Sequence, residues 1–435
     1  MENTRHPAGT YWLSFFEASE RFCYYGMRSI LTLYMVKFLF FDPMMESDPA
    51  IRSAITEHAG SIYGWFTGLV YLSPLIGGWL ADKHLGQRKS VVIGAVLMGV
   101  GYCLMAIPSL PIFFIALGVV IMGNGFFKPN ITTIVGQLYK KNDPRRDGGM
   151  TLFYMGINLG AFFSPFVCGT LAEHYGWHWG FLAAGVSMFL GLIIYAMGSH
   201  TLGDAGKYPV RKESAENRPL THIEKQRIIV IFALTFFVIF FFVVFEQAGT
   251  SMTLFADRET DRMIGDWEVP ASWFQSINPI FIMVLGLVFS RLWMWLDKFG
   301  KNPTIPMKMA IGLFFASGGS LIMAQAAKVA KNGELAGMEW LVFIYFIHTI
   351  GELCLSPIGL SMVTKLAPKK YLSMMMGVFF LGIAIASKIA GSFAGKYDTM
   401  AHDQFYVILA IAAGAAGLVL LPLAGPLHRM MHGAD

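Results

Sequence analysis

Charged residues are scarce in this chain. Only 14% of its 435 residues are Asp, Glu, Lys or Arg, while 55% are hydrophobic. Soluble domains usually carry about 25% charged residues. So little charge over this length excludes an ordinary soluble core and predicts a membrane protein.

Cysteines and enzyme motifs are also few. The four cysteines all lie in apolar blocks, and none has a partner at metal-ligand spacing: Cys23, Cys103, Cys168 and Cys354. We expect ordinary buried thiols, with no disulfide, metal or cofactor. Residues 86–90 lack the upstream glycine spacing of a Walker loop. No nucleophile constellation supports an enzyme, and without an ATPase domain uphill transport has to draw on an ion gradient.

The apolar residues fall in blocks long enough to cross about 30 Å of hydrocarbon as helix. Only helices satisfy the backbone over such unbroken blocks in lipid. We therefore predict an all-α membrane protein with twelve transmembrane helices, near 11–40, 59–82, 89–108, 111–138, 149–172, 177–198, 226–256, 271–296, 305–327, 340–364, 372–395 and 403–427.

Basic residues predict the orientation. The net charge of +5 comes from Lys and Arg concentrated in short even-numbered loops, which indicates topology rather than a nucleic-acid partner. Both termini are predicted to be cytoplasmic. The polar stretch 201–224 predicts a cytoplasmic linker between an N-terminal six-helix bundle, 1–200, and a C-terminal one, 225–435. Weak echoes between the halves, such as glycine and proline six residues apart in the fourth and tenth helices, fit two repeats with a pathway between them.

One face of the first predicted helix is charged. Within an arc of about 100° it carries four charged side chains and a phenol, with Tyr25 at the edge of the arc: Glu17, Glu20, Arg21, Tyr24 and Arg28. Other predicted helices carry Lys128, Glu246, Glu352 and Lys388. Each charge costs about 2.5–3.5 kcal/mol at the bilayer centre. They must face a wet cavity or pair with one another, and the plain alternative is a set of salt bridges that only holds the bundle together.

These residue types fit proton and solute handling. Two carboxylates beside Arg21 can hold an exchangeable proton. Polar side chains in later helices could hydrogen-bond an amide, namely Asn158, Gln247, Asn278 and Ser356, and four tyrosines could line a pocket, namely Tyr24, Tyr25, Tyr71 and Tyr154. For any one of them, an interhelical hydrogen bond is an equal alternative.

Several motifs together resemble the proton-dependent oligopeptide transporter (POT) family of the major facilitator superfamily. Glu17-x-x-Glu20-Arg21-Phe22 with Tyr24-Tyr25-Gly26 resembles the family's first-helix motif. The resemblance continues in order through 123–130, 153–160, 245–247, 275–279 and 351–357, and the loop at 77–90 resembles the superfamily's helix 2–3 motif.

The resemblance implies a major facilitator fold in a bacterial cytoplasmic membrane, with di- and tripeptides, protons and the lipid bilayer as partners. It implies proton-coupled peptide import by alternating access. The implied proton-coupling residues are Glu17, Glu20, Arg21, Glu246 and Glu352. The implied substrate-binding residues are Tyr24, Tyr25, Arg28, Tyr71, Lys128, Tyr154, Asn158, Glu246, Asn278, Glu352 and Ser356.

The implied roles divide by charge. Arg28 and Lys128 would meet the peptide carboxylate, and Glu352 would hold its amine, helped by Asn158 and Asn278. Arg28 with Glu246, and Lys128 with Glu352, would form pairs across the two bundles. A zwitterionic peptide needs a cation on one half and an anion on the other, and the charges are distributed in that way.

The chain also departs from the family. Bacterial members usually carry two extra helices between the halves, for which 201–224 is too short. Phe379 stands where Trp is usual, Gly64 stands where animal members have a histidine, and Lys388 is unassigned. Two alternatives remain: a same-fold transporter of another solute, such as nitrate, a drug or a modified amino acid, and a non-transporting receptor.

Overall fold

The computed structural model describes residues 5–140, 143–209, 219–331 and 334–433. It is nearly all helical. Thirteen α-helices run through these ranges: α1 Ala8–Tyr34, α2 Pro49–Leu80, α3 Gln87–Met105, α4 Leu110–Gln137, α5 Arg146–Ser164, α6 Trp177–Gly198, α7 His222–Phe245, α8 Ser251–Arg258, α9 Ile277–Lys298, α10 Ile305–Lys331, α11 Met338–Leu366, α12 Leu372–Ala394 and α13 His402–Met430.

Long apolar helices confirm a multi-pass membrane protein. Over the described ranges, ten helical spans are long and apolar enough to cross a membrane. Helices α1 and α2 are also long, at 27 and 32 residues, but are not among these ten. The charges on α1 account for its greater polarity. Part of the predicted linker, residues 210–218, lies outside the described residues.

The predicted all-α class is incomplete in one respect. Four two-residue strands occur, β1 Thr260–Asp261, β2 Met263–Ile264, β3 Trp267–Glu268 and β4 Ala336–Gly337. Strand β1 pairs in parallel with β4, and β2 pairs with β3 in antiparallel register. Strands this short carry no periodicity, so the sequence pattern could not predict them.

The span predicted at 226–256 is interrupted. A 3₁₀ turn at Glu246–Gly249 separates α7 from α8. The interruption frees backbone groups inside a membrane span, which is tolerated only where protein or a wet cavity covers them. Glu246 and Gln247 are both about 1% exposed, so protein covers this turn.

The chain forms two compact units. The first comprises 1–34 and 72–212, and the second comprises 35–71 and 213–435. In the first, α1 packs against α5 and α6, and α3 packs against α4 and α6. In the second, α7 packs against α12 and α13, and α10 packs against α11 and α13. The bundles at 1–200 and 225–435 stay a prediction.

The first turn of α3 anchors the segment after α6 within the first unit. Arg88 donates from Nε to the carbonyl of Ala205 at 2.7 Å and from Nη2 to the carbonyl of Gly203 at 2.6 Å. Gln87 donates to Asp82 at 3.2 Å. The loop motif therefore holds the chain where the first unit ends.

Candidate functional site

Four charged side chains meet inside the first unit. Arg21 donates to both carboxylate oxygens of Glu20, from Nη2 at 2.5 Å and from Nε. Its Nε also lies 3.6 Å from Oε1 of Glu17. Lys128 of α4 donates to that same Oε1. The cluster therefore holds two acids and two bases, brought together from two helices.

Glu17 is the member with unused hydrogen-bonding capacity. Both glutamates are fully buried, whereas the Lys128 side chain keeps 30% of its surface exposed. Among the described residues, Oε2 of Glu17 has no hydrogen-bond partner. Buried polar atoms without partners are rare. This oxygen therefore retains the capacity to accept a hydrogen bond.

Aromatic residues cover the cluster. The guanidinium carbon of Arg21 lies 5.0 Å from the Tyr24 ring centroid and 5.9 Å from that of Tyr25, within cation–π range. The two rings meet edge to face at 5.4 Å. One turn further along α1, Arg28 is 7% exposed. All six predicted residues of α1 thus lie between residues 17 and 28, and all but Tyr25 are buried.

Glycines bring α5 against this part of α1. A Cβ added at Gly156 would lie 2.7 Å from the Ser14 carbonyl oxygen, and one at Gly160 would overlap the carbonyl oxygen of Ala18. Only glycine fits at these two positions. Between them lies Asn158, 3% exposed, whose Nδ2 donates to the Tyr154 carbonyl at 3.0 Å. Tyr154 itself is 47% exposed.

The second unit holds the other predicted polar group. Asn278 of α9 donates from Nδ2 to Oε2 of Glu352 at 2.8 Å and to Oγ1 of Thr349 at 3.0 Å. The prediction missed Thr349, although it precedes Glu352 by three residues and therefore lies on the same helix face. Asn278 thus orients the Glu352 carboxylate from a neighbouring helix.

The remaining predicted residues are more dispersed. Glu246 lies in the 3₁₀ turn after α7, Tyr71 lies in α2, and Ser356 lies one turn beyond Glu352 in α11. The cross-bundle pairs, Arg28 with Glu246 and Lys128 with Glu352, stay predictions. Within the first unit, Lys128 pairs with Glu17.

Lys388, which the sequence left unassigned, acquires a local role. Its Nζ donates to Oγ of Ser61 at 2.9 Å and lies 5.1 Å from the Trp65 ring centroid. These partners precede it by more than 300 residues, so no sequence spacing could reveal them. These two contacts of Lys388 connect α12 to α2 within the second unit.

The first unit offers a neutral set of two acids and two bases, with one carboxylate oxygen unpartnered. The second offers an acid held by an amide. No group of three or more potential metal ligands occurs in the described part of the chain.

Comparisons with known proteins agree on one family. The model of the POT family matches residues 88–217 and 216–408. The chain is 34% identical to peptide transporter YePEPT of Yersinia enterocolitica, with 98% of this chain and 96% of that one covered. It is 29% identical to dipeptide and tripeptide permease A of Escherichia coli, with 98% and 94% covered.

Solved structures agree as well. A crystal structure of a peptide transporter POT in complex with sulfate is 33% identical, with a TM-score of 0.87 and 98% and 96% of the two chains covered. A POT family transporter in complex with 5-aminolevulinic acid is 28% identical, with a TM-score of 0.87 and 97% of each chain covered. The alignment with the Yersinia protein runs over 496 positions against 435 residues here, so at least 61 positions have no counterpart in this chain.

Proposed function

We propose that this chain, which belongs to the POT family, is a proton-coupled symporter that imports di- and tripeptides across the cytoplasmic membrane by alternating access. The observation that carries the proposal is the buried cluster in which Lys128 bonds to Glu17 beside Glu20 and Arg21. The substrate class is supported by the Yersinia and Escherichia relatives, whose names specify peptide transport.

The proposed coupling depends on Lys128, which pairs with Glu17 and would also bind the peptide carboxylate. With both acids ionised, the cluster is neutral. A peptide carboxylate that engages Lys128 draws its charge away from Glu17, which then lies beside Glu20 with less compensation. Like charges in a buried setting favour uptake of a proton by the pair of acids. Peptide and proton therefore bind together, and each favours the other.

The amine end is assigned to the second unit. Glu352, held by Asn278 at 2.8 Å, supplies the negative charge that a peptide ammonium requires. Arg28 is assigned to the carboxylate, and Tyr24, Tyr25, Tyr71, Tyr154, Asn158 and Ser356 to the peptide backbone and side chains. Glu246 is assigned to the exchange of pairs during transport.

The finer topology is part of the proposal. Twelve membrane helices in two six-helix bundles, with cytoplasmic termini, combine the ten apolar spans with α1 and α2. The two family matches meet at residues 216–217, inside the proposed linker. The 61 missing positions would therefore be the two extra helices between the halves, and transport is expected without them.

The test is uptake of dialanine into proteoliposomes under an inward proton gradient. We expect Glu20→Gln to abolish gradient-driven accumulation while exchange of dialanine across the membrane continues, because removal of the acid bound by Arg21 disrupts proton binding first. The matched control is the same substitution at exposed Glu334, which should leave accumulation unchanged.

Three results would contradict the proposal. Undiminished accumulation by Glu20→Gln would remove the coupling role. Uptake of dialanine by the wild-type protein with no gradient dependence would remove proton coupling. If free dipeptides fail to compete for a bound solute, the alternative of a same-fold transporter for another small solute replaces the peptide assignment.

A further inference from the structure

Lys388 is a cation inside a membrane span that lacks an acidic partner. It lies within α12, and its Nζ contacts the hydroxyl of Ser61 at 2.9 Å and the ring of Trp65 at 5.1 Å. Within the described part of the chain, its ammonium forms no ion pair. A charge inside a membrane span is costly and usually marks a functional site. No role in the proposed transport uses this lysine.

The acids nearest along the two helices are engaged elsewhere. Glu57 is the one acid of α2, and its side chain lies against Gly395, where an added Cβ would be 2.8 Å from Cγ of Glu57. Gly395 follows Lys388 by seven residues, which is about 10 Å along a helix. Asp398 lies further still and pairs with Arg258 at 3.0 Å. The positive charge of Lys388 is therefore left without local compensation.

The surface around the lysine is apolar. Helix α12 belongs to one of the ten apolar spans, and α2 packs directly on it: a Cβ added at Gly64 would lie 2.8 Å from the Ser387 carbonyl oxygen. Beside this contact, exposed apolar side chains lie on both helices, namely Trp65 at 57%, Leu69 at 41%, Ile385 at 42% and Ile389 at 44%. Lipid tails are as apolar as leucine. A surface of this composition within a span therefore faces acyl chains.

The depth of Lys388 suits a lipid headgroup. Helix α12 ends at Ala394, less than two turns beyond the lysine. Lysines near a helix end extend their ammonium group to the membrane interface, and tryptophans are enriched at the same level. Lipid headgroups occupy that level of the bilayer, whereas transported solutes bind near its midplane.

We propose that Ser61, Trp65 and Lys388 form a site for the phosphate of an anionic phospholipid such as phosphatidylglycerol. An ammonium group has three N–H donors, and Ser61 accepts only one of them. The Ser61 hydroxyl accepts in this contact and keeps its own O–H for donation. A phosphate oxygen can therefore accept from both side chains, while the exposed rings and aliphatic groups beside them contact the acyl chains. Free phosphate offers the same chemistry from solution.

The experiment uses the full chain in nanodiscs of phosphatidylcholine with increasing phosphatidylglycerol. Its readouts are the thermal unfolding midpoint and the retained lipid counted by native mass spectrometry. Lys388→Met should require about fivefold more phosphatidylglycerol for half of its own maximal response, which corresponds to the roughly 1 kcal/mol of one basic contact with anionic lipid. Lys388→Arg keeps the charge and should match the wild type. The matched control is Lys328→Met, at an exposed lysine in the last turn of α10.

Each outcome decides the assignment. A right-shifted response for Lys388→Met alone, with Lys388→Arg, Lys328→Met and wild type superimposed, supports the lipid site. An unshifted Lys388→Met overturns it, and so does an equal shift in Lys328→Met, which would show a general effect of surface charge. An equal rise with millimolar inorganic phosphate in pure phosphatidylcholine assigns the site to soluble phosphate and overturns the lipid assignment. Lipid counting on folded protein keeps the test valid for a variant that melts early, and dialanine uptake is not part of the readout.

Discussion

The pair between Glu17 and Lys128 offers a quantitative test. Glu17→Gln keeps the shape of the side chain and removes its charge, which leaves Arg21 and Lys128 facing Glu20 alone. Breaking one partner out of a buried ion pair costs about 3–5 kcal/mol. The Lys128 side chain is 30% exposed, so solvent screens part of the interaction. We therefore expect Glu17→Gln to lower the free energy of unfolding by about half of that cost, roughly 2 kcal/mol.

The double variant isolates the interaction. Glu17→Gln with Lys128→Gln restores a neutral cluster, in which Arg21 still binds Glu20. We therefore expect it to regain about half or more of the stability lost in Glu17→Gln, so that its own loss is about 1 kcal/mol or less and smaller than the sum of the two single losses. The assay is thermal unfolding of purified wild type, both single variants and the double variant in one detergent.

The expected order of unfolding midpoints is wild type, then the double variant, then Glu17→Gln. If the loss in the double variant equals the sum of the two single losses, the residues do not interact. In that case the coupling mechanism, which depends on the bond from Lys128 to Oε1 of Glu17, has no structural basis.

Three further predictions follow from the packing and the loops. Gly160→Ala places a methyl group against the Ala18 carbonyl and should lower the free energy of unfolding by about 1–3 kcal/mol, measured by thermal unfolding. The control Gly118→Ala, with nothing within 4 Å of the added carbon, should leave it unchanged. Equal melting of the two variants would refute the close packing of α5 on α1. Asn278→Ala removes the donor that orients Glu352 and should raise the KM for dialanine about tenfold, which corresponds to about 1.4 kcal/mol. The control Asn302→Ala, at an exposed asparagine, should leave the KM unchanged. An unaltered KM in Asn278→Ala would show that the orientation of Glu352 does not contribute to dialanine binding. Hydrogen bonds from Arg145 lower the pKa of Asp143 from 3.8 to about 2. The contribution of Asp143 to folding stability is therefore complete above the unfolded-state pKa and is lost as the pH falls toward 2. Asp143→Asn should shift the unfolding midpoint equally at about pH 5 and pH 8, and a shift that differs between the two would contradict this.

The sequence predicted the helices well because apolar blocks and polar loops differ sharply in a membrane protein. Residue 177 begins and residue 198 ends both the sixth predicted span and α6. Helix α2 begins at Pro49, ten residues before the predicted start, since its first turns are polar and a hydropathy criterion registers only the apolar part.

The site was harder to predict than the helices. Helical periodicity placed Glu17, Glu20 and Arg21 on one face because they are close in sequence. It could not pair Lys128 with Glu17, or Lys388 with Ser61, because those contacts depend on how separate helices pack. The resemblance paired Lys128 with Glu352 instead, a pairing across two units that stays a prediction.

In the fifth-helix motif, Gly156 and Gly160 determine how the helices pack and take no part in the proposed transport chemistry. They serve as spacers that set how closely α5 approaches α1, and they have no chemistry of their own. A chain that kept these glycines and lost Glu17 and Lys128 would retain the close packing of α5 on α1 and match the family by its fifth helix, yet it would lack the pair on which the proposed coupling depends. Recognition of the fold and recognition of the transport activity thus depend on different residues, even where the two sets touch.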